Sequence, residues 1–279
     1  MHFSKNKNYS IPMNKILLCC DMDRTVIPNG HAQESPHARL LFTALIEQHK
    51  IMLVYVTGRH KKLIEQAIQE YNLPVPDYAI ADVGSTIYNI TQTHWEIDSE
   101  WHESIAPDWR GKQRSDLKEL LIDYPELTLQ ESEKQNQFKL SYYAPENTKK
   151  DILISELKER FKQHSILASF IWSIDDITHQ GLLDILPSSA NKLHAIRFLM
   201  EKLKFNESNT VFAGDSGNDM EVLVSSIKSI IVGNATDNIK QEALQNDNVS
   251  ENKQQLYIAQ GNYSTGIIEG LKHYFPGFS

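Results

Sequence analysis

Short apolar runs alternate with helix-like segments in the first third of the chain, and this alternation constrains the fold more than any other feature. The runs at residues 16–20, 51–56 and 78–81 are typical of buried parallel strands. Between them, Ser35-Pro36 indicates a helix start, and residues 61–71 have a helical pattern. The βαβαβ order predicts a doubly wound α/β sheet.

The first of these helices is predicted to have one largely apolar face. Leu40, Leu41, Ala44 and Leu45 recur at helical spacing, with Gln48 as the polar member of that face.

The middle of the chain has a different character, with many charges and few glycines. We predict helices at 115–123 and 147–163 and strands at 138–143 and 169–174. Two strand–helix units of this kind suggest a small α+β domain inserted into the doubly wound domain.

The doubly wound pattern then returns, with strands at 182–186, 210–213 and 229–232 and helices at 190–203, 219–224 and 263–274. The predicted fold is α/β, with a doubly wound (Rossmann-like) parallel-sheet core and an inserted α+β domain. The predicted core domain comprises residues 1–92 and 181–279, and the predicted inserted domain comprises residues 93–180. Residues 1–14 are expected to form a loose tail.

Composition narrows the range of partners. The net charge of −8 argues against nucleic acid and anionic membranes, because both need a basic face. There is no apolar stretch of ~18 residues that could span a membrane, and the polar first fourteen residues do not resemble a secretion signal. The adjacent cysteines Cys19 and Cys20 are expected to be buried free thiols. We expect a cytoplasmic protein, as a monomer or small homo-oligomer, that acts on a small molecule.

Two carboxylates follow the first apolar run, in the stretch Asp21-Met22-Asp23-Arg24-Thr25. At a strand end, acids two positions apart can point the same way, and a cation between them would relieve their repulsion. This arrangement suits a divalent metal together with a nucleophile and an acid/base group. Taken alone, a stretch of this kind more often caps a helix or a loop.

Three further polar groups follow later apolar runs. Thr57, Gly58 and Arg59 offer donors and a cation for a phosphoryl group. Lys192 opens a predicted helix, where a cation does not favour helix stability. The Gly- and acid-rich turn at residues 214–219 can hold an anion or a metal. Ligands of open α/β sheets bind at the carboxyl ends of strands, so these groups can meet there.

In this order, the four stretches resemble the haloacid dehalogenase superfamily of phosphohydrolases. The DMDRT stretch at 21–25 matches that family's first motif, Thr57 its second, Lys192 its third and GDSGND at 214–219 its fourth. The resemblance covers nearly the whole chain. The insertion between the second and third motifs is similar to the subgroup with a large α/β cap.

More narrowly, the chain resembles the sucrose-phosphate phosphatase branch, in TGR at 57–59, DVGSTIY at 82–88 and QNQFKLSYY at 135–143. One departure is that the branch tends to have an acid directly before the Gln-Asn pair, where this chain has Lys134.

The resemblance implies a mechanism and a cofactor. Asp21 would attack phosphorus and Asp23 would act as acid and base. Mg²⁺ would be held by Asp21, Asp215 and the backbone carbonyl of Asp23. Thr57 and Lys192 would bind phosphoryl oxygens.

Further roles follow from the same resemblance. Asn218 and Asp219 would orient Lys192 and metal-bound waters. Gly58 and Arg59 would help to bind the substrate, and Gln135, Asn136 and Lys139 would read sugar hydroxyls, since amides match their mixed donors and acceptors.

The expected function is Mg²⁺-dependent hydrolysis of a sugar phosphate such as sucrose 6-phosphate. The alternatives are phosphatases of mannosylfructose phosphate or mannosyl-phosphoglycerate, and a phosphomutase. A signalling receiver domain fits less well, because it should be much shorter and lack an insertion. A sugar-phosphate-binding protein without catalysis is opposed by the intact acids and lysine.

Overall fold

The computed structural model describes residues 15–91, 94–175, 178–246 and 255–278. The predicted loose tail at residues 1–14 lies outside the described residues. The chain divides into two compact units. The first unit holds the chain up to Val54 and from Leu199 onwards, and the second holds Tyr55–Phe198. The predicted boundaries of the inserted domain, residues 93–180, stay a prediction.

The described strands are β1 (Leu17–Cys20), β2 (Met52–Val56), β3 (Tyr78–Ala81), β4 (Thr86–Thr91), β5 (His94–Ile97), β6 (Thr128–Leu129), β7 (Leu140–Ala144), β8 (Ala168–Ile174), β9 (Gly181–Pro187), β10 (Thr210–Gly214), β11 (Lys228–Ile231) and β12 (Leu256–Ile258). The described helices are α1 (Ala38–His49), α2 (Lys61–Glu70), α3 (Ser99–Ile105), α4 (Arg114–Glu119), α5 (Lys150–Gln163), α6 (Lys192–Leu203), α7 (Met220–Leu223), α8 (Asp237–Gln245) and α9 (Tyr263–Tyr274).

In the first unit the strands lie in the order β12-β11-β10-β1-β2. The pairs β1–β10, β10–β11 and β11–β12 are parallel. Every residue of β1 is buried, as expected for a strand covered on both faces. The Asp21 N–H donates to the Ala213 carbonyl at 2.9 Å, which extends the β1–β10 ladder by one residue. Asp21 therefore stands directly beside the end of β10.

The second unit contains antiparallel strands. β2 begins in the first unit and ends in the second, where the order continues β2-β3-β4-β5, with β3, β4 and β5 antiparallel. A second sheet has the order β6-β7-β9-β8, and all of its pairs are antiparallel. The predicted strand–helix–strand succession of the middle region is present as β7, α5 and β8.

One strand lies in a different sheet from the one predicted. The run at 182–186 was expected to resume the parallel sheet, but β9 pairs with β7 and β8 instead. An apolar run of this length suits either sheet, and its neighbours are set by contacts distant in sequence. The mixed α/β fold with a mostly parallel central sheet is confirmed. Among the described residues, none of the helices is long and apolar enough to cross a bilayer.

Candidate active site

Three carboxylates come together in the first unit, where β1 and β10 end. Asp21 follows β1, Asp215 follows β10, and Asp219 lies four residues further along. One oxygen of each lies within 4.8 Å of the other two, and all three side chains are buried. We call Asp21, Asp215 and Asp219 the carboxylate cluster. Packing three such groups together calls for a compensating cation, because their charges repel one another.

Thr25 joins two members of this cluster. Its hydroxyl lies 3.2 Å from Oδ1 of Asp215 and 3.4 Å from Oδ2 of Asp21, so its one proton can be donated to either. The side chain is buried because the chain turns sharply after β1, with the N–H groups of Thr25, Val26 and Ile27 all directed at the Met22 carbonyl. Thr25 was part of the sequence motif but was assigned no role.

Asp219 shapes the turn that carries Asp215. Its Oδ2 accepts the N–H groups of Asp215 and Ser216, both at 3.1 Å, and the Ser216 hydroxyl at 3.0 Å. A Cβ at position 214 would lie 2.7 Å from that same oxygen. Glycine is therefore required at position 214 for the Asp219 carboxylate to approach the backbone so closely.

Asp23 is oriented by an asparagine that sequence analysis missed. Asn29 donates from Nδ2 to Oδ1 of Asp23 at 2.7 Å, and its Oδ1 accepts the Arg24 N–H at 2.8 Å. Asp23 is half-buried, so protons can still reach it from solvent. The one sequence signal for this contact is the Asn29-Gly30 pair, which is typical of a turn.

The donor set of the carboxylate cluster fits magnesium. Carboxylate oxygens are hard ligands, and Mg²⁺ in proteins is commonly held by one or two of them with waters completing its shell. The predicted contribution of the Asp23 backbone carbonyl stays a prediction.

Thr57, Gly58 and Arg59 lie in the second unit, directly after β2. Thr57 is buried, its N–H donates to the Ile80 carbonyl at 2.8 Å, and its hydroxyl accepts the Arg59 N–H at 3.2 Å. Gly58 is exposed and Arg59 half-buried. The three residues form a tight turn whose backbone is fixed by β3.

A strained turn follows β3 in the same unit. Asp82 and Val83 have φ values of 53° and 61°, in the left-handed region. Such conformations cost about 1–3 kcal/mol each and persist where their surroundings hold them. Here the N–H of Asp82 donates to the Arg59 carbonyl at 3.0 Å and the N–H of Val83 to the Thr57 carbonyl at 3.2 Å. The turn therefore supports the Thr57 segment.

Lys139 ties this turn to the second sheet. Its Nζ lies 3.6 Å from Oδ1 of Asp82 and 3.7 Å from Oδ1 of Asp184, and the ammonium group is buried between them. Burial raises the pKa of the Asp82 carboxyl, while the Lys139 charge acts in the opposite direction. The predicted role of Lys139 in substrate binding stays a prediction, and neither acid was assigned a role from the sequence.

Lys192 is the first residue of α6 and is buried. The preceding Asn191 accepts the His194 N–H on its side-chain oxygen at 2.8 Å, which caps the helix and explains why it begins there. Asn218, predicted to orient Lys192, is exposed on the turn after β10. The roles of both residues stay predictions.

The amides of Gln135 and Asn136 are engaged within the second unit. Gln135 donates to the carbonyls of Gln130 and Ser141 and accepts the Ser141 N–H, all within 3.1 Å. Asn136 donates to the hydroxyls of Ser85 and Thr86 at 3.0 and 3.1 Å. Its Oδ1 accepts the N–H of Phe138 at 2.8 Å, so the amides anchor this loop.

We expect Asn136→Ala to lower the free energy of unfolding by about 1–3 kcal/mol, because it leaves buried hydroxyls without their donor. Urea denaturation followed by circular dichroism measures this change. Gln137→Ala is the matched control, since Gln137 is the exposed neighbouring amide, and its change should stay within about 0.5 kcal/mol. Equal losses in the two variants would show that the Asn136 contacts do not anchor the loop.

Comparison with known proteins decides the family. The family model described as sucrose-6F-phosphate phosphohydrolase matches residues 14–275. The chain belongs to this family. The resemblance inferred from the four motifs is thereby confirmed, and the enzyme class is that of a phosphoric monoester hydrolase of the haloacid dehalogenase type.

Two relatives illustrate the breadth of the family. A protein of Nitrosococcus oceani described as a HAD-like hydrolase is 53% identical over 269 residues, covering 94% of this chain and 72% of its own length. Sucrose-phosphatase 2 of Nicotiana tabacum is 29% identical over 273 residues, covering 93% of this chain and 59% of the tobacco protein. The chain thus spans well under two thirds of the tobacco enzyme.

A solved structure supports the same assignment. The sucrose-phosphatase of Synechocystis sp. PCC6803, determined in complex with sucrose and phosphate, superposes with a TM-score of 0.71. It is 26% identical, and the match covers 94% of this chain and 98% of the other. Lys134, which stands directly before the Gln-Asn pair, donates from Nζ to the Tyr143 hydroxyl at 2.7 Å and pairs with Glu131 at 3.3 Å.

Proposed function

We propose that this protein hydrolyses a sugar phosphate, with sucrose 6-phosphate as the first candidate, through a phosphorylated Asp21. The observation that carries the proposal is the buried carboxylate cluster of Asp21, Asp215 and Asp219, in a chain of the sucrose-6F-phosphate phosphohydrolase family. A nucleophilic carboxylate beside other acids needs a cation to offset their charges and a separate acid/base group. The carboxylate cluster supplies ligands for the cation, and Asp23 supplies the acid/base group.

In the proposed reaction, an oxygen of Asp21 attacks phosphorus and the bond from phosphorus to the sugar oxygen breaks. Asp23 gives its proton to the leaving alkoxide, and Asn29 holds Asp23 in the orientation to do so. Asp23 then takes a proton from water, whose oxygen attacks phosphorus. Phosphate leaves and Asp21 is regenerated, so each acid returns to its starting state.

Asp21 and Asp215 would hold Mg²⁺, and the bound ion would supply positive charge that neutralises the phosphoryl oxygens. Thr25 fixes the relative orientation of these two carboxylates through its shared hydroxyl. Asp219 keeps the turn in place, with its Oδ2 on three donors. Thr57 and Lys192 are proposed to bind phosphoryl oxygens, as the family resemblance implies, and Asn218 to assist Lys192.

On the sugar side, Gly58, Arg59, Gln135, Asn136 and Lys139 are proposed to contribute to substrate binding. Because the amides of Gln135 and Asn136 are already engaged, we propose that these two act by holding their loop in position. Lys139 is proposed to act in the same indirect way through its buried ion pairs.

The proposed function is tested by measuring phosphate release with Mg²⁺ from a panel of phosphate esters. We expect kcat/KM for sucrose 6-phosphate to exceed that for glucose 6-phosphate and fructose 6-phosphate by at least about tenfold, because a pocket that pairs with hydroxyls discriminates against substrates that lack them. Mannosylfructose phosphate and mannosyl-phosphoglycerate belong in the same panel, since a higher rate on either would assign that substrate instead. Conversion to an isomer without phosphate release would indicate a mutase and contradict the proposal.

A further inference from the structure

The turn that carries Asp21 and Asp23 also carries a cation, Arg24. Its Nε lies 3.3 Å from Oδ2 of Asp215. The Asp215 side chain is buried, whereas 56% of the Arg24 side chain is exposed. The ion pair therefore joins a member of the carboxylate cluster to a side chain that solvent reaches.

The backbone of Arg24 is held in an uncommon conformation. Its φ is 57°, in the left-handed region that non-glycine residues seldom occupy. Its N–H donates to Oδ1 of Asn29 at 2.8 Å, and its carbonyl accepts from Nδ2 of Asn234 at 2.7 Å. Contacts on both sides of the residue thus keep it in place despite the strain.

The stem of the Arg24 side chain lies in a space that glycine leaves open. A Cβ at Gly30 would lie 3.3 Å from Cγ of Arg24 and 2.9 Å from the Tyr263 hydroxyl. Tyr263 is itself fixed, since its N–H donates to Oδ1 of Asn234 at 2.8 Å and its hydroxyl to the Ala32 carbonyl at 3.0 Å. Arg24 is therefore positioned by the fold of the first unit.

A guanidinium in this position acts against a metal ion. A metal ion bound at the cluster would share the Asp215 carboxylate with Arg24, and the two cations would repel each other. A divalent ion that binds the cluster must weaken the ion pair of Arg24 and Asp215. The affinity for the ion is therefore reduced by the free energy that this ion pair contributes. Because Arg24 is largely exposed, the contribution is modest and sensitive to salt.

We propose that Arg24 lowers the affinity of the carboxylate cluster for Mg²⁺ by competing for Asp215. The inference rests on the magnesium site of the proposed function. It assigns Arg24 a role in tuning the metal affinity of the site, without contact to the reacting atoms.

The test is isothermal titration calorimetry of the full chain with Mg²⁺ alone. Arg24→Gln removes the charge, and Arg24→Asn does so with a residue that tolerates left-handed φ, so that at least one variant should fold. We expect the Kd for Mg²⁺ to fall about threefold to tenfold in both, with the difference shrinking as the NaCl concentration rises. Arg39→Gln is the matched control, since Arg39 pairs with Glu34 at 2.9 Å in the same unit, and its Kd should equal that of the wild type.

Each other outcome has a defined meaning. An unchanged Kd in the Arg24 variants would refute competition, and a higher Kd would show that Arg24 organises Asp215 for the metal. Either result would leave the proposed function intact. An absence of Mg²⁺ binding in the wild type would refute the magnesium site and this inference together.

Discussion

Asp21→Asn should abolish turnover, lowering kcat for phosphate release by at least about 10²–10⁴-fold. The amide is a poor nucleophile, and it also removes one charge from the carboxylate cluster, so both the attack on phosphorus and the metal site are impaired. The side chain changes little in size, and the backbone N–H of residue 21 keeps its bond to the Ala213 carbonyl. The fold should therefore survive the substitution.

Initial rates at saturating substrate measure the effect, and circular dichroism checks the fold. Asp123→Asn is a matched control, because Asp123 is an exposed carboxylate that pairs with Arg160 at 3.0 Å in the second unit. Its rate should equal that of the wild type. A kcat for Asp21→Asn within a few-fold of the wild type would rule out Asp21 as the nucleophile.

Removing divalent metal should have a comparably large effect. With a chelator present, we expect phosphate release to fall at least about 100-fold, since the carboxylates of Asp21 and Asp215 would then repel the anionic substrate. Added Mg²⁺ should restore the rate. Ca²⁺ should bind but support little turnover, because its larger and looser coordination misplaces the nucleophile.

The measurement is a phosphate-release assay on enzyme dialysed against chelator and then titrated with MgCl₂ or CaCl₂. Thermal unfolding of the dialysed enzyme is the control, since it must remain folded for the loss to be attributed to chemistry. Full activity in chelator would contradict the proposed role of the cluster.

Much of the fold could be predicted because short buried strands have a simple signature. β1, β2, β3 and β10 are apolar runs, each followed at once by polar residues, so their positions were visible in the sequence. The sheet to which a run belongs was not visible. β9 looks like the others but pairs with β7 and β8, and the hairpin of β4 and β5 was not predicted.

Helix α1 shows why the buried face of a helix was harder to predict than the helix itself. Leu40 and Leu41 lie on the face that the spacing marks as apolar, but they are 67% and 59% exposed, whereas Phe42 and Ile46 are buried. The helix is apolar on most of its faces, so periodicity alone does not select one. The choice is made by packing, and α1 packs against α9 from the far end of the chain.

In the candidate site, too, local sequence predicted some features, and contacts between distant residues determine the others. Asp21 and Asp215 could be named because each follows a strand, and adjacent parallel strands end at the same edge of a sheet. The contact of Asn29 with Asp23, and the pairing of Lys139 with Asp82 and Asp184, depend on how the chain folds back on itself. A local sequence pattern cannot predict such contacts, since the partners of Lys139 are 57 and 45 residues away in sequence.

The most direct test of the account is to look for phosphate on Asp21. Wild-type enzyme and Asp23→Asn are mixed with ³²P-labelled sucrose 6-phosphate and Mg²⁺, quenched within milliseconds in acid, digested and mapped by mass spectrometry. We expect a phosphoryl group on the peptide that contains Asp21, more persistent in Asp23→Asn because water is no longer activated, and none in Asp21→Asn. Turnover of the labelled substrate with no phosphopeptide, or with the label on another residue, would contradict the account.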